Sequence, residues 1–185
     1  MNLSEYFFKT TFNPNENFEA LREDPNKDGL GAKAFVMSIG IQVIIRLAFS
    51  CFSFLSYGML GGFLSSFLLS IVLSTVIMNV LLLVVIHFAI NQAVDDKHAD
   101  WPLVMGLVGI SSLPLIIGIV LSQLIPTAGQ LFSILGSVGT GVVIGIGAHI
   151  LLDVKKESAM IIMPLVIVLV GFLSSFAMGF LFNFM

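Results

Sequence analysis

The sequence predicts an all-α fold: an integral membrane bundle of five transmembrane helices with a short amphipathic cytoplasmic helix at the amino terminus. Three observations carry this. Mean hydropathy is +1.06 and only 10% of the 185 residues are charged, against about 25% in soluble domains, so there is too little polar surface to coat a water-soluble core. Apolar stretches cover 34–60, 63–94, 102–125, 127–152 and 159–182, each longer than the ~20 residues a helix needs to cross a ~30 Å hydrocarbon core. The third observation is where the basic residues fall. Alternate threading puts the tail, the 95–100 loop and the 153–157 loop on one side, with Lys9, Arg22, Lys27, Lys33, Lys97, Lys155 and Lys156. The other side, made of 57–62, 123–130 and the carboxyl terminus, has no Lys or Arg. The positive-inside rule then predicts a protein of the cell (cytoplasmic) membrane, amino terminus cytoplasmic and carboxyl terminus outside.

Two regions follow: a cytoplasmic tail, 1–33, and a five-span membrane domain, 34–185. Residues 1–5 lack the basic and apolar regions of a cleavable signal peptide, so the first span is expected to be its own insertion signal. Cys51 is the sole cysteine, which excludes an intramolecular disulfide and a thiolate metal site. A net charge of −3 argues against nucleic acid. The acids Glu5, Glu16, Glu19, Glu23, Asp24 and Asp28 outnumber the bases of the tail, which is therefore no polybasic lipid-headgroup ligand.

In the tail, Asn13-Pro14-Asn15-Glu16 reads as a helix start, with Asn13 as N-cap, Pro14 at the first helical position and Glu16 reaching back as in a capping box. That helix, 14–23, is ended by Pro25, Asn26, Asp28 and Gly29. Phe18 and Leu21 share one face, and Tyr6, Phe7, Phe8 and Phe12 precede them, which predicts a tail docked on the membrane surface or under the bundle. The outward loops are short and carry Gly58, Gly61, Gly62, Pro126 and Gly129, so neighbouring spans form antiparallel hairpins. Trp101 and Pro102 mark where the third span leaves the cytoplasmic interface. Pro114, deep in that span, predicts a helix kink, with Ser111 or Ser112 available to satisfy a freed carbonyl. Small residues recur at four-residue spacing: Ser66, Ser70 and Ser74, then Gly141 and Gly145, then Ser175 and Gly179. Such faces let helix backbones approach closely, within one chain or across a homodimer.

The run Pro14-x-x-x-Phe18-x-x-Leu21-x-x-x-Pro25, leading directly into five spans, resembles the bacterial branch of the Yip (Ypt/Rab-interacting protein) family. The stretch Gly109-Ile110-Ser111-Ser112-Leu113-Pro114 is similar to that family's small/Ser-x-x-Pro stretch. The resemblance implies a five-span fold with a cytosolic amino terminus and, through eukaryotic relatives, a link to Rab-type GTPases and membrane traffic. This chain lacks the longer cytosolic region those relatives carry, so the GTPase link is not carried over.

Arg46 is the anomaly among the spans. It lies about 18 Å along the helix axis from Ala34, near the bilayer midplane, where arginine costs at least ~2.5 kcal/mol. No Asp or Glu falls in an apolar stretch. Its partners are then Gln42, carbonyls freed near Pro114, hydroxyls, water or an anion, unless it snorkels to the interface. His87 and Asn91 are i, i+4, with Asn79 on approximately the same face, and His149 and Asp153 are likewise i, i+4. Such histidines can hydrogen-bond between helices, relay protons or join a metal site, though a metal wants three convergent ligands. Ser137 and His149 are about 18 Å apart on one helix, which excludes a serine–histidine pair, and no phosphate loop, HExxH or nucleophile elbow is present.

The expected function is a non-enzymatic, cofactor-free membrane-organising or trafficking-type scaffold or partner subunit, with the lipid bilayer and a membrane-protein partner or homodimer as its contacts. The alternative is a small-molecule or ion transporter, or transporter subunit, with a mid-membrane polar pocket formed by Arg46, Gln42, Asn79, His87, Asn91 and His149.

Overall fold

The computed structural model describes residues 3–57, 64–93 and 99–183, apart from the side chains of 28, 53–57, 64–67 and 174–183. Gly58, Gly61, Gly62, Lys97 and Met185, and the side-chain faces of Ser66 and of Ser175 with Gly179, lie outside the described residues. Within them every regular element is helical: α1 (Leu3–Phe12), α2 (Pro14–Glu23), α3 (Lys27–Tyr57), α4 (Leu64–Ala93), α5 (Trp101–Ile110), α6 (Leu113–Leu124), a 3-10 turn (Pro126–Ala128), α7 (Gly129–Leu152) and α8 (Lys156–Asn183).

The aromatic-rich start of the tail is itself a helix, α1, joined to α2 with hardly a break, since the Asn13 N–H still donates to the Lys9 carbonyl at 2.8 Å. Pro14 opens α2, with Glu16 in its first turn and Arg22 in its last, both placed to complement the helix dipole. The expected side-chain cap is not formed. The Asn13 amide donates to the Glu16 carboxylate instead, and the α2 backbone donors are left uncapped by its side chain. Asp24 then turns the chain by accepting the Asn26 N–H at 2.8 Å.

The first long helix begins at Lys27, earlier than the apolar stretch that starts at Ala34. Gly31, in its first turns, meets the backbone of Pro102 and Gly106 so closely that a Cβ there would strike the Pro102 carbonyl. The stretch 102–125, expected as one kinked helix, is two helices bent by 41° across Ser111–Ser112. Pro114 is thus in the first turn of α6, where its missing N–H costs little, rather than inside a continuous helix. The Ser112 hydroxyl donates to the Gly109 carbonyl at 2.7 Å, and the Leu115 N–H finds Thr140 Oγ1 of α7 at 2.9 Å, so the break is hydrogen-bonded from both within and across helices.

α3, α4, α7 and α8 contain membrane-length apolar segments, Gly29–Phe52, Leu68–Ala93, Pro126–Leu152 and Lys156–Leu173, and the bent α5–α6 pair makes up to one more. α7 is the hub, packed on α6, α8 and α2. Gly118 of α6 faces Gly136 at 3.0 Å from its virtual Cβ to the partner Cα, and Gly141 abuts the backbone of Pro164 in α8. Tyr6, Phe18 and Leu21 share one apolar core with Ile86, Leu107 and Ile144. Exposed side chains such as Ile44, Ile77 and Leu165 are apolar, as a lipid-facing surface requires.

Candidate functional site

The polar residues singled out in the spans gather into separate groups. In the first, Gln42 of α3 and Asn79 of α4 pair reciprocally: each amide N–H donates to the other's carbonyl oxygen at 3.2 Å. The second proton of each amide is also used, Gln42 on Ser38 Oγ at 3.2 Å and Asn79 on the Thr75 carbonyl at 2.8 Å. All four residues are buried. Paired amides fill each other's donor and acceptor capacity, the arrangement an apolar surround demands. Ser38 and Thr75 were not anticipated, although each sits four residues ahead of its amide, one helical turn away, and that spacing was visible.

The second group closes the end of α4. The His87 ring stacks on Trp101 at 3.8 Å with 4° between planes, and its Nε2 lies 2.9 Å from the Ala99 carbonyl. Asn91 Oδ1 accepts the Ala99 N–H at 2.8 Å, and its Nδ2 lies 3.2 Å from His87 Nδ1. These contacts fit one neutral tautomer, with Nε2–H donating to the carbonyl and Nδ1 accepting from the amide. The effect is a clasp that seats the start of α5 on the end of α4. Trp101 as its stacking partner had no sequence signal beyond its interfacial position.

A third group joins the tail to α7. Phe18 is fully buried, 0% exposed, with its ring against Gly147, where a Cβ would lie 2.7 Å from Cζ. Leu21 is buried beside it. Arg22 donates to the Ile150 carbonyl at 3.0 Å and pairs with Asp153 at 3.4 Å, so a cation meets the carbonyl end of α7. Asp153 adopts the left-handed conformation at φ 56°, which ends α7, and His149 Nδ1 lies 2.8 Å from the Val154 carbonyl just beyond. Pro14 and Pro25 flank α2 at its two ends. Behind α2, Asn17 donates to the Tyr6 carbonyl and Thr10 Oγ1 at 3.2 and 3.0 Å, and Tyr6 donates to Asp24 Oδ2 at 3.1 Å. Burial, then the hydrogen bond and charge of Asp24, push the Tyr6 phenol above its ordinary pKa.

Arg46 joins none of these groups. Gln42, one turn away, is committed to Asn79 and Ser38, and Arg46 Nε is buried without a hydrogen-bond partner among the described residues. Among the described residues no three His, Cys, Asp or Glu side chains converge as a metal site would need.

An all-helical chain with four or five membrane-length apolar helices, joined by close glycine contacts and a buried amide pair, is a multi-pass membrane protein embedded in a lipid bilayer. The family model for the Yip1 domain matches residues 8–178, and the chain belongs to that family, whose members are generally non-enzymatic. No curated protein and no solved structure matches the chain at a significant level.

Proposed function

We propose that this protein is a five-span, non-enzymatic scaffold of the cytoplasmic membrane that presents a fixed cytosolic face to a membrane-protein partner. The observation that carries the reading is the tail: Phe18 and Leu21 are buried in the same core as the spans, and Arg22 is bonded to the last turn of α7. A helix held this way turns the ends of the spans into one rigid surface. The interior polar groups support the same reading, because the Gln42 and Asn79 amides are spent on each other and the His87 and Asn91 side chains on the Ala99 backbone, just ahead of α5, and on Trp101. The total bias of Lys and Arg supports a cytosolic tail and an external carboxyl terminus.

The test sets the tail against the amides. In mild detergent the intact chain is expected to co-purify with a defined membrane partner, which Gly147→Leu abolishes by displacing Phe18. Replacing Gln42 and Asn79 together by Leu removes both polar partners at once and is expected to be nearly neutral. A cellular phenotype that follows the Gln42/Asn79 double variant and ignores Gly147→Leu would replace the scaffold by a transport pathway. Sidedness is read separately, by labelling Lys155→Cys in a Cys51→Ser background in intact cells; labelling from outside would invert the topology.

A further inference from the structure

We propose that α1 is a membrane-embedded helix lying within one leaflet, with Phe8 and Phe12 among lipid acyl chains. The placement comes from Phe7. It is buried in an apolar cluster with Leu113 and Ile116 of α6, against which Met37, Ile41 and Ile45 of α3 pack. Ile41 and Ile45 belong to the interior of the Gly29–Phe52 segment, and Leu113 and Ile116 to the middle of the bent α5–α6 pair. α5 alone is about 15 Å long, Leu113 lies beyond it across the 41° bend, and a leaflet of hydrocarbon is about 15 Å deep. A helix whose inward side chain reaches that depth is not lying in bulk water above the spans. α1 also contacts α3, α5 and α6 along its length, so it sits beside the break in the bent pair.

The pattern around α1 agrees. Tyr6, Phe7 and Thr10 face inward, and the Thr10 hydroxyl is satisfied there by donating to the Tyr6 carbonyl at 2.5 Å. Facing outward, one turn apart, are Phe8 at 57% and Phe12 at 81% exposure. Glu5 and Lys9 occupy one edge of that outer strip, where a lysine stem can lift its ammonium to the headgroups while the rings stay below. The helix is therefore an interfacial element wedged into the bundle at one end and into lipid along its flank. That this leaflet is the cytoplasmic one rests on the proposed orientation; the embedding itself does not.

Trp101 is the sole tryptophan, which permits a direct reading of depth in the full chain reconstituted into liposomes. In a Trp101→Phe background, Phe12→Trp reports α1, and Phe88→Trp, on the 64% exposed outer face of α4, is the acyl-depth reference. In phosphatidylcholine brominated along its acyl chains, the α1 probe is expected to lose at least as large a fraction of its emission as the reference. A smaller loss overturns the proposal, whether aqueous iodide reaches the ring or a second copy of the chain shields it. A spin label at Phe12→Cys with Cys51→Ser leaves Trp101 in place and reads the same depth, with oxygen collisions expected to exceed those of an aqueous nickel chelate. An inverted Lys155→Cys labelling pattern would change which leaflet holds α1 and leave both readings as they are.

Discussion

In the 18-residue apolar stretch of the α7 span 44% of the residues are buried, whereas in that of the α3 segment Gly29–Phe52 only 17% are. α7 gains its contacts by having almost no side chain where neighbours arrive: Gly136 against Gly118, Gly141 against Pro164, Gly145 against Ala159. α3 meets α4 instead through a few polar atoms, the Gln42–Asn79 amides and their supports. Lipid tails are as apolar as leucine, so neither interface gains from excluding water, and close van der Waals packing and hydrogen bonds are the two remaining means of association. Packing distributes its energy over many contacts and tolerates no added atoms. An amide pair concentrates its energy in two hydrogen bonds and tolerates removal if both partners go together. Those differing tolerances are what substitutions should reveal.

The largest effect is expected for Gly141→Leu. Its Cβ would collide with the backbone of Pro164, which no rotamer relieves, so the α7–α8 interface must separate at a cost of about 3 kcal/mol or more, the upper end of overpacking. Gly40→Leu is the control, because nothing lies within 4 Å of its virtual Cβ; removing a helix-interior glycine should gain roughly 0.5–1 kcal/mol. Denaturation by sodium dodecyl sulfate in mixed micelles reads both. Equal losses at the two sites would mean that α7 is not a close-packed hub.

Phe18→Ala comes next. Deleting a fully buried ring against Gly147 should cost about 3–5 kcal/mol of local stability, seen as rapid tryptic cleavage after Lys27, a bond that Arg22→Ala also retains. Arg22→Ala should do much less, since the ion pair with Asp153 is more than half exposed on both sides and such pairs are worth about 0–1 kcal/mol. Rapid cleavage in both variants would make charge rather than packing the tie.

These residues also show what the sequence could convey. The 14–23 helix with Phe18 and Leu21 on one face was legible because a first-turn proline and apolar periodicity are local signals, although the Asn13 side-chain cap is not formed, and Pro114 with its neighbouring serines marked the break for the same reason. The start of α3 was not, since a hydropathy window ends at charged residues such as Lys27 and Lys33 while a helix does not. The helical character of α1 was hidden within an aromatic cluster. Pro164 opposite Gly141, Gly31 on Gly106, and Trp101 on His87 are pairings between distant segments. Glycine at small-residue spacing signals that some backbone arrives and never says which one. For the polar residues, chemistry was legible and grouping was not: Asn79 and His87 share a helix face, yet one pairs with α3 and the other with the start of α5.

Arg46 sits on the loosely packed side of the comparison. Its Nε is buried without a hydrogen-bond partner among the described residues, and an arginine deep in a span costs about 2.5–3.5 kcal/mol on the insertion scale. Arg46→Leu should therefore leave the fold at least as stable and raise insertion efficiency, measured by glycosylation mapping of the first span. Loss of stability would show that the guanidinium holds a bound anion or headgroup strongly enough to offset its desolvation.

A smaller effect is expected at the amide pair. Asn79→Leu strands the Gln42 amide and should cost roughly 0.6–1.7 kcal/mol, the range for interhelical hydrogen bonds in membranes. The double replacement with Gln42→Leu should recover most of it, because neither amide is then left without its partner and only the Ser38 hydroxyl loses a bond. A double variant as damaged as the sum of the singles would mean that shape, not hydrogen bonding, joins α3 to α4.

The smallest effect concerns pH and the tail. Tyr6 is buried and donates to Asp24, and both conditions, burial first, raise its phenol above the ordinary value of 10.0. The folded chain thus holds that proton more tightly than the unfolded chain does. The stabilisation is fully present below about pH 10 and is lost as pH rises through the folded-state value. Tail release, followed by exposure of the bond after Arg22 to a protease active at high pH, should accelerate there in the native chain. Tyr6→Phe removes the titrating group, so its tail should show a flat response over the same interval after an initial loss below about 1 kcal/mol. An unchanged alkaline response in Tyr6→Phe would assign the release to the lysines of the tail, and the Tyr6–Asp24 bond would then join α1 to the turn after α2 without making it sensitive to pH.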